Sequence, residues 1–276
     1  MKGTTDAVAG QGRADHGSRR GTRAGKRARV RGRRRTSRVT DVDRHRVEET
    51  AVLVHAAGGD AIALHMDVTD EVSVRDGVAD AVAHFGGLDV LFANAGIQVP
   101  GYPNVAFEDM TLESWHRVMD GNLTGVFLSM KHAVAPMRAH GGGSIVVTSS
   151  AVSMAAARNL APYAATKGGV NALVRAAAVD LGRYGIRVNA ICPLGGMSAN
   201  FLMAPDAPVL GRSMEEERGS WDPDTAHQPL KLPQPPTLRD NAMAALFFAS
   251  GESSYTTGVC MPVTDGGILA GVFLHL

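Results

Sequence analysis

From residue 39 onward, the sequence alternates between short apolar runs typical of strands and longer segments with helical periodicity. A helix of about twelve or more residues between two strands allows those strands to lie parallel in one sheet. Continuous apolar strands indicate a sheet that helices cover on both faces. The sequence therefore predicts a single-domain α/β protein with a doubly wound parallel sheet. The predicted strands are residues 61–66, 88–93, 144–148, 186–192 and 259–263, and the predicted helices are residues 43–57, 69–85, 114–140 (interrupted near Gly121), 163–183 and 237–250.

Composition narrows the class of protein. The chain has 276 residues, of which 45% are hydrophobic and 20% charged, as in globular proteins with a large core. No apolar run approaches the ~18 residues that a membrane span needs, and we expect no secretory signal. The two cysteines, Cys192 and Cys260, lie in strand-like segments, which excludes a disulfide-rich scaffold and fits a cytoplasmic protein. The histidines lack metal-ligand spacing, so we expect no metal site.

Polar residues follow several of the predicted strands. Asn94-Ala95-Gly96 follows one strand, Ser149 and Ser150 follow the next, and Pro193 ends a third. In doubly wound sheets, ligands bind beyond the carboxyl ends of the strands. We therefore expect the functional site at this edge.

Tyr163 and Lys167 are spaced so that both side chains share one face of a helix. The pKa of a free tyrosine is ~10, which is too high for a base at neutral pH. A nearby cation favours the phenolate and lowers that pKa toward the range in which proton transfer is efficient. The Ser150 hydroxyl is expected to hold a substrate carbonyl or alcohol oxygen. This set suits proton transfer coupled to hydride transfer at a carbinol carbon.

Six motifs in this order resemble the short-chain dehydrogenase/reductase family over about residues 39–267. The resemblance implies a Rossmann-like fold. The motifs are Asn94-Ala95-Gly96, Asn122 within Asn-Leu-Thr-Gly, Ser150, Tyr163 with Lys167, Arg187-Val188-Asn189, and Pro193.

The resemblance implies roles for four residues. Tyr163 would be the general acid/base, and Lys167 would lower the pKa of Tyr163 and bind the nicotinamide ribose. Ser150 would orient the substrate oxygen, and Asn122 would hold a water that links Lys167 to solvent. The implied activity is that of an NAD(H)-dependent oxidoreductase, which transfers a hydride between nicotinamide and the carbon of a secondary alcohol or ketone.

The resemblance also implies a set of cofactor contacts. Asp41, at the end of the second strand, matches the acid that binds the adenosine ribose, and it favours NAD because a carboxylate repels a 2′-phosphate. Leu194 stands where the family usually has glycine, and Ser198 where it usually has threonine. The residues implied to bind cofactor are Gly10, Gly12, Asp41, Asp67, Val68, Asn94, Ala95, Gly96, Tyr163, Lys167, Pro193, Gly196 and Ser198.

Several of these residues also have purely structural interpretations. Asp41 is suited to cap a helix, and Asp43 competes with it for the ribose role. Asn122 by itself fits a hydrogen-bonding residue at a helix break, and Asp67 by itself fits a turn.

The predicted substrate loop spans residues 194–236. Its apolar residues Met197, Phe201, Leu202 and Met203 indicate either an apolar substrate or ordinary packing of a lid. The family usually forms homotetramers through two long helices, here residues 122–140 and 163–183. We therefore expect a homo-oligomer (tetramer or dimer) with a small-molecule alcohol or ketone substrate, and neither a nucleic-acid nor a membrane partner.

The first 38 residues do not fit this pattern. They contain eleven arginines and two lysines against two acids, although the whole chain is only +1. Gly10 and Gly12 begin a glycine-rich turn of the kind that binds a pyrophosphate, but Ala14-Asp15-His16 stands where Gly-x-Gly is expected. The following stretch is too polar for a packed helix, and residues 31–38 are unsuited to a buried central strand. We therefore divide the chain into an aberrant segment, 1–38, and a catalytic domain, 39–276.

We hypothesise that residues of about 14–38 are read in a shifted frame of a GC-rich gene. With one permitted choice of codons, removal of a single C converts Ala14-Asp15-His16 into Gly-Ile-Thr. Two alternatives apply to the chain as it stands. One is a catalytically impaired binding protein on the same fold, and the other is a nucleic-acid-binding module that uses the arginines electrostatically. The intact Ser150, Tyr163 and Lys167 favour the enzyme.

Overall fold

The computed structural model describes residues 6–10, 36–155, 157–198, 201, 213–219, 221–225 and 232–264, with the backbone alone for 6–10, 36, 217 and 218. One sheet holds seven strands in the order β3-β2-β1-β4-β5-β6-β7. This order reverses direction beside β1, as expected for a doubly wound α/β fold. The strands are β1 (Asp6–Gly10), β2 (Thr36–Asp41), β3 (Asp60–His65), β4 (Val90–Ala93), β5 (Gly143–Thr148), β6 (Ile186–Pro193) and β7 (Cys260–Val263).

Helices cover both faces of the sheet. On β5, Ile145 and Val147 belong to one core cluster and Val146 to another, because successive side chains of a strand point to opposite faces. Helices α2, α4 and α5 pack on the first face, and α7 packs on the second through Phe248. The helices are α1 (Arg44–Ala56), α2 (Glu71–Phe85), α3 (Leu112–Met119), α4 (Gly125–His140), α5 (Ala161–Gly182), α6 (Met214–Arg218) and α7 (Leu238–Ala249).

Most predicted elements agree with the structure within a few residues. The interruption predicted near Gly121 is confirmed as a π turn over Asp120–Thr124, which joins α3 to α4. The start of α4 passes close to Val68: a Cβ on Gly125 would lie 2.8 Å from Val68 Cγ2 and 3.2 Å from the Val68 carbonyl oxygen. The predicted substrate loop contains the short helix α6, which Ser213 caps.

Strand β1 departs from the parallel sheet that the sequence predicted. It runs antiparallel to both neighbours, with Asp6 opposite Thr40 and Gly10 opposite Thr36. The other described strand pairs are all parallel. A parallel β1 requires a crossover helix before β2. The polar stretch that precedes β2 lacks the apolar stripe for such a helix.

Strand β2 begins earlier than predicted, so the expectation that 31–38 holds no strand was wrong for 36–38. The Arg38 side chain is buried, and its Nη1 donates to the Gly77 carbonyl of α2 at 3.5 Å. Burial lowers the pKa of Arg38, while the Asp80 carboxylate partly opposes this shift. An arginine is tolerated here because α2 offers it a carbonyl and an acid.

Candidate active site

Five polar residues come together at the carboxyl edge of the sheet. Asn94 follows β4, Ser150 follows β5, Asn122 lies in the π turn, and Tyr163 and Lys167 lie near the start of α5. Pro162 stands in the first turn of α5, where its fixed backbone angle suits a helix start. The sequence spacing thus places all five predicted residues in one region.

Tyr163 is almost fully buried, and its hydroxyl hydrogen-bonds with Ser150. Burial raises the pKa of Tyr163 to about 12, although the Ser150 hydrogen bond partly opposes that rise. The Lys167 ammonium lies 5.5 Å from the centroid of the Tyr163 ring. Desolvation of the phenolate is the dominant effect on this pKa, so the net shift is upward rather than downward as expected. The electrostatic effect of Lys167 on Tyr163 remains a prediction.

Lys167 is held by the strand that precedes Ser150. It is 2% exposed, and its ammonium donates to the Thr148 carbonyl at 2.8 Å. The Ser149 hydroxyl in turn donates to the Lys167 carbonyl at 3.2 Å. The Thr148 carbonyl therefore helps to hold the ammonium near the Tyr163 ring, and the Ser149 hydroxyl ties α5 to the end of β5.

Asn122 uses both ends of its amide on the loop after β4. Its Oδ1 accepts from the Ile97 backbone N–H at 2.7 Å, and its Nδ2 donates to the Ile97 carbonyl at 2.9 Å. The side chain therefore positions the Asn94-Ala95-Gly96 loop, which agrees with the helix-break interpretation. The role in holding a water remains a prediction.

The Asn94-Ala95-Gly96 loop is fixed at both ends. The Thr148 hydroxyl donates to Asn94 Oδ1 at 2.7 Å, which ties the ends of β4 and β5 together. Gly96 leaves a small cradle: a Cβ there would lie 3.4 Å from Asn122 Oδ1 and 3.7 Å from Lys167 Nζ. This cradle lies directly beside the amine of Lys167.

The structure separates the two acids that competed for the ribose role. Asp43 caps α1 by accepting from the backbone of His45 and Arg46. Asp41 ends β2, is 3% exposed, and accepts from the Asp43 backbone N–H at 2.8 Å. Asp41 therefore remains the candidate for the cofactor ribose, because Asp43 is committed to its helix.

Asp67 and Val68, which follow Met66 after β3, make different contacts. Asp67 Oδ1 accepts from both the backbone N–H and the hydroxyl of Thr69, at 2.8 and 2.7 Å, which agrees with its interpretation as a turn residue. Val68 packs closely against Gly125 at the start of α4. An adenine contact by either residue remains a prediction.

The segment after β6 is fixed by α7. Gly196 has φ +66°, and the Asn241 amide donates to the Gly195 and Gly196 carbonyls at 3.0 and 2.8 Å. Ser198 forms a bridge with Ser213 next to α6. Pro193 is the last residue of β6, so the predicted cofactor residues Pro193, Gly196 and Ser198 follow the same edge as Ser150.

The predicted glycine turn is not found at this edge. Gly10 is the last residue of β1, and because β1 is reversed it pairs with Thr36 at the amino edge of the parallel strands. Gly10 is therefore not placed with the predicted cofactor residues, which corrects its expected position. Gly12, Leu202 and Met203 lie outside the described residues.

Tyr163 belongs to a small apolar cluster. Its buried members are Val99, Val118, Leu160 and Tyr163, and Phe201 meets the Tyr163 ring edge-on at a centroid distance of 6.3 Å. Sequence reasoning singled out Phe201 but missed Thr148 and Asn241, which position the site through backbone contacts. Their side chains act over long sequence separations, so no local pattern marks them.

The Arg187-Val188-Asn189 motif contributes to folding rather than to the site. Arg187 donates to the Phe248 and Ser250 carbonyls and to the Ser253 hydroxyl, at 2.9, 3.1 and 2.7 Å. Asn189 accepts from the Val259 N–H at 3.1 Å and donates to the Thr256 carbonyl at 2.9 Å. Both residues connect β6 to the segment that leads into β7.

Comparison with known proteins shows the family to which the chain belongs. Residues 36–268 match the family model described as Enoyl-(Acyl carrier protein) reductase. The chain is 36% identical over 235 residues to 2,5-dichloro-2,5-cyclohexadiene-1,4-diol dehydrogenase LinX of Sphingobium indicum, covering 85% of this chain and 86% of the relative. It is 38% identical over 218 residues to trans-4-hydroxycyclohexanecarboxylate dehydrogenase of Sinomonas cyclohexanicum, covering 76% and 72%.

Among solved structures, levodione reductase superposes with a TM-score of 0.68 at 31% identity, covering 85% of this chain and 87% of that one. The chain belongs to the short-chain dehydrogenase/reductase family, and it is a dehydrogenase or reductase that acts on CH–OH groups. Within the described residues, no helix is long and apolar enough to cross a membrane. Among the same described residues, no group of three or more histidine, cysteine, aspartate or glutamate side chains is placed to hold a metal ion.

Dehydrogenases of this family use nicotinamide cofactors, and one end of the site fits such a group. The Gly96 cradle lies between the Asn122 amide and the Lys167 ammonium. The Tyr163 ring centroid lies 5.5 Å from the same ammonium. The Lys167 ammonium, a donor beside the open space at Gly96, therefore suits the ribose of such a cofactor.

Proposed function

We propose that the chain catalyses NAD(H)-dependent hydride transfer between nicotinamide and the ring carbinol carbon of an alicyclic secondary alcohol or ketone. The observation that carries the proposal is the buried Ser150–Tyr163–Lys167 arrangement beside an apolar wall. Two relatives are named for alcohols on six-membered carbon rings. Phe201 and its apolar neighbours suit the carbon skeleton of such a ring.

In the proposed mechanism, the chain moves the proton. The nicotinamide ring, when bound, donates or accepts the hydride. In ketone reduction, the Tyr163 phenol gives its proton to the carbonyl oxygen, which Ser150 holds by a hydrogen bond. In alcohol oxidation, the Tyr163 phenolate accepts the hydroxyl proton. The Lys167 ammonium favours the phenolate electrostatically and donates to the ribose hydroxyls, while Asn122 keeps the cofactor loop in place.

The cofactor preference is proposed from Asp41. A buried carboxylate at the end of β2 accepts hydrogen bonds from ribose hydroxyls and repels a 2′-phosphate. We therefore propose NAD rather than NADP. An Asp41→Asn variant should narrow the preference for NADH over NADPH in parallel binding titrations, because the repulsion is removed while the side chain keeps its size.

We extend the proposal to the location of the protein in the cell, its oligomeric state and its partners. A cytoplasmic homo-oligomer, tetramer or dimer, is consistent with the free thiols of Cys192 and Cys260 and with exposed apolar residues on α4 and α5. Its partners would be small molecules, without nucleic acid or membrane.

The reversal of β1 favours the second candidate function, a catalytically impaired protein on this fold. Its Ser150, Tyr163 and Lys167 would be intact but poorly supplied with cofactor. The two candidates differ in the cofactor concentration that turnover requires: the enzyme reacts at a low NAD⁺ concentration, and the impaired protein does not.

The deciding experiment measures oxidation of cyclohexanol and trans-4-hydroxycyclohexanecarboxylate at low and at saturating NAD⁺ concentrations. We expect Tyr163→Phe to lower kcat/KM by about 100- to 10,000-fold, because it removes the proton-transferring hydroxyl. Tyr255→Phe is the matched control, since Tyr255 is fully exposed near β7. Equal rates for the two variants would exclude Tyr163 as the acid/base.

A further inference from the structure

Buried hydrogen bonds connect Asn171 to the turn that follows Ser150. Asn171 lies on α5 one helical turn beyond Lys167, so the two side chains share one face of the helix. Asn171 is 4% exposed, and its Nδ2 donates to the Ser153 hydroxyl at 2.7 Å. This contact joins α5 to the short 3₁₀ turn Ala151–Ser153, which begins directly after Ser150.

The amide of Asn171 has a defined orientation. The buried Cys192 thiol of β6 donates to Asn171 Oδ1 at 3.8 Å, so the carbonyl end of the amide faces β6 and Nδ2 faces Ser153. Burial raises the pKa of Cys192 to about 11, and the thiol therefore keeps its proton at neutral pH and remains a donor. The reverse orientation of the amide would turn its oxygen toward Ser153 and draw the hydroxyl proton away from Ser150.

The direction of this hydrogen bond determines what the Ser153 hydroxyl does next. A serine hydroxyl has one proton and two lone pairs, so a hydroxyl that accepts from Asn171 keeps its proton for a second partner. That partner is the Ser150 carbonyl, which accepts from Ser153 Oγ at 2.5 Å and from the Ser153 backbone N–H at 3.0 Å. Ser153 therefore holds the backbone of Ser150 with two donors.

The Ser150 side chain depends on this support from its backbone. Its Oγ caps the 3₁₀ turn by accepting from the Val152 N–H at 3.4 Å, and it also hydrogen-bonds with the Tyr163 hydroxyl. A hydrogen bond of 3.4 Å is long and holds the side chain weakly. The position of Ser150 Oγ beside Tyr163 is therefore set mainly by the Ser153 contacts to the Ser150 carbonyl.

We propose that Asn171 is a positioning residue for the proposed reaction. It directs the Ser153 hydroxyl onto the Ser150 carbonyl, and this contact holds the Ser150 hydroxyl where it meets both Tyr163 and the substrate oxygen. The inference rests on the proposed function, because it takes Ser150 as the residue that holds that oxygen. Asn171 acts through Ser153.

The first test compares the kinetics of Asn171→Leu and Ser153→Ala with those of the native chain in cyclohexanol oxidation. We expect each substitution to lower kcat by about 10- to 100-fold, because a small misplacement of a reacting group is costly. KM for NAD⁺ should be unchanged, since the Lys167 contact with the Thr148 carbonyl is retained. Unchanged kcat, or a rise in KM for NAD⁺ as large as the fall in kcat, would overturn the proposal.

Two further variants separate positioning from general packing. Ser153→Thr keeps the hydroxyl and should recover the native kcat. Ser129→Ala is the matched control, because Ser129 is 3% exposed and donates to the Gly125 carbonyl at 2.8 Å within α4, away from Ser150. Its kcat should equal that of the native chain. Equal losses of kcat in Ser129→Ala and Ser153→Ala would contradict the inference.

The double variant Asn171→Leu with Ser153→Ala tests whether the two residues act in one chain of hydrogen bonds. Because Asn171 acts through Ser153, kcat of the double variant should match that of Ser153→Ala alone. Losses that multiply would show that Asn171 acts independently of Ser153 and would refute the proposed role.

Crystal structures of Ser153→Ala and Ser129→Ala supply a readout that does not need turnover. We expect Ser150 Oγ to leave hydrogen-bond distance of the Tyr163 hydroxyl in Ser153→Ala and to stay in place in Ser129→Ala. If the native chain oxidises neither cyclohexanol nor trans-4-hydroxycyclohexanecarboxylate, the proposed function fails, and a displaced Ser150 still supports the inference. Turnover by the native chain together with an unmoved Ser150 in Ser153→Ala would support the function and reject the inference.

Discussion

Burial and a nearby positive charge have opposite effects on the pKa of Tyr163. The sequence places a lysine one helical turn away, which predicts a lowered pKa. In the structure, removal of the phenol from water raises the pKa to about 12, and the ammonium is engaged with the Thr148 carbonyl. Tyr163 is therefore held as the neutral acid, the form that ketone reduction consumes.

The raised pKa of Tyr163 predicts a loss of stability at alkaline pH. Its ordinary pKa of 10.0 applies to the unfolded chain and about 12 to the folded one, so the folded state binds the proton more tightly. Stability from this group is complete below pH ~10 and is lost as pH rises toward ~12, because the unfolded chain ionises first. Relative to Tyr163→Phe, the free energy of unfolding of the native chain should fall by about 1 kcal/mol by pH ~11.

Urea unfolding at pH values between about 8 and 11 checks this difference. Tyr255→Phe serves as the control, because its fully exposed hydroxyl should leave the pH dependence unchanged. Parallel curves for the native chain and Tyr163→Phe would refute the assignment.

The junction between α3 and α4 depends on small residues. A Cβ on Gly125 would lie 2.8 Å from Val68 Cγ2 and 3.2 Å from the Val68 carbonyl oxygen, and a β-branched side chain and a backbone give way poorly. By contrast, Gly168 in α5 has open space at its Cβ position. The two helical glycines therefore differ: a Cβ would be too close to Val68 at Gly125, whereas it would have room at Gly168.

We expect Gly125→Ala to destabilise the protein by about 1–3 kcal/mol through overpacking. Gly168→Ala should be neutral or stabilise it by up to about 1 kcal/mol, because alanine is the better helix former. Chemical denaturation of both variants provides the measurement, and equal midpoints would show that the close approach to Val68 is relieved at no cost.

Another prediction concerns the connection between β6 and α7. Arg187 donates three hydrogen bonds there, and burial lowers its pKa. Arg187→Met should destabilise the protein by about 2 kcal/mol or more, since hydrogen bonds of a charged donor are lost. Arg183→Met is the control: Arg183 stacks on Tyr184 at 4.7 Å and is exposed, so about 1 kcal/mol or less is expected. Thermal unfolding of both variants compares the two effects.

Apolar side chains are exposed on α4 and α5, the two helices that we expect to form an interface between copies of the chain. Phe127 of α4 and Val179 of α5 are 47% and 82% exposed. The packed core is elsewhere, between the sheet and its helices. Exposed apolar residues on two long helices favour contact with a second copy of the chain.

If these helices join two copies, Val179→Arg should dissociate the assembly, because a charge would be buried without a partner. Analytical ultracentrifugation is the direct measurement. Val52→Arg, on α1, is the control, since Val52 is 64% exposed on a different helix. A single oligomeric state for the native chain and both variants would place the interface elsewhere or exclude it.

Local patterns account for much of the fold and of the candidate site. Helical periodicity gave α1, α5 and α7 within a few residues, and the i, i+4 spacing placed Tyr163 and Lys167 on one face. Asn94 and Ser150 were predicted at the same edge because each follows a parallel strand. Such features depend on residues close in sequence, so the sequence alone is sufficient to predict them.

Long-range packing decided the rest. The burial of Arg38 and the contact of Phe201 with Tyr163 join residues far apart in sequence, and no local pattern encodes them. The pKa of Tyr163 belongs to this group, because desolvation depends on everything packed around the phenol. Residue types and spacings therefore determined which groups meet at the carboxyl edge. Only the tertiary structure decided how deeply these groups are buried and which backbone groups hold them, because both depend on long-range packing.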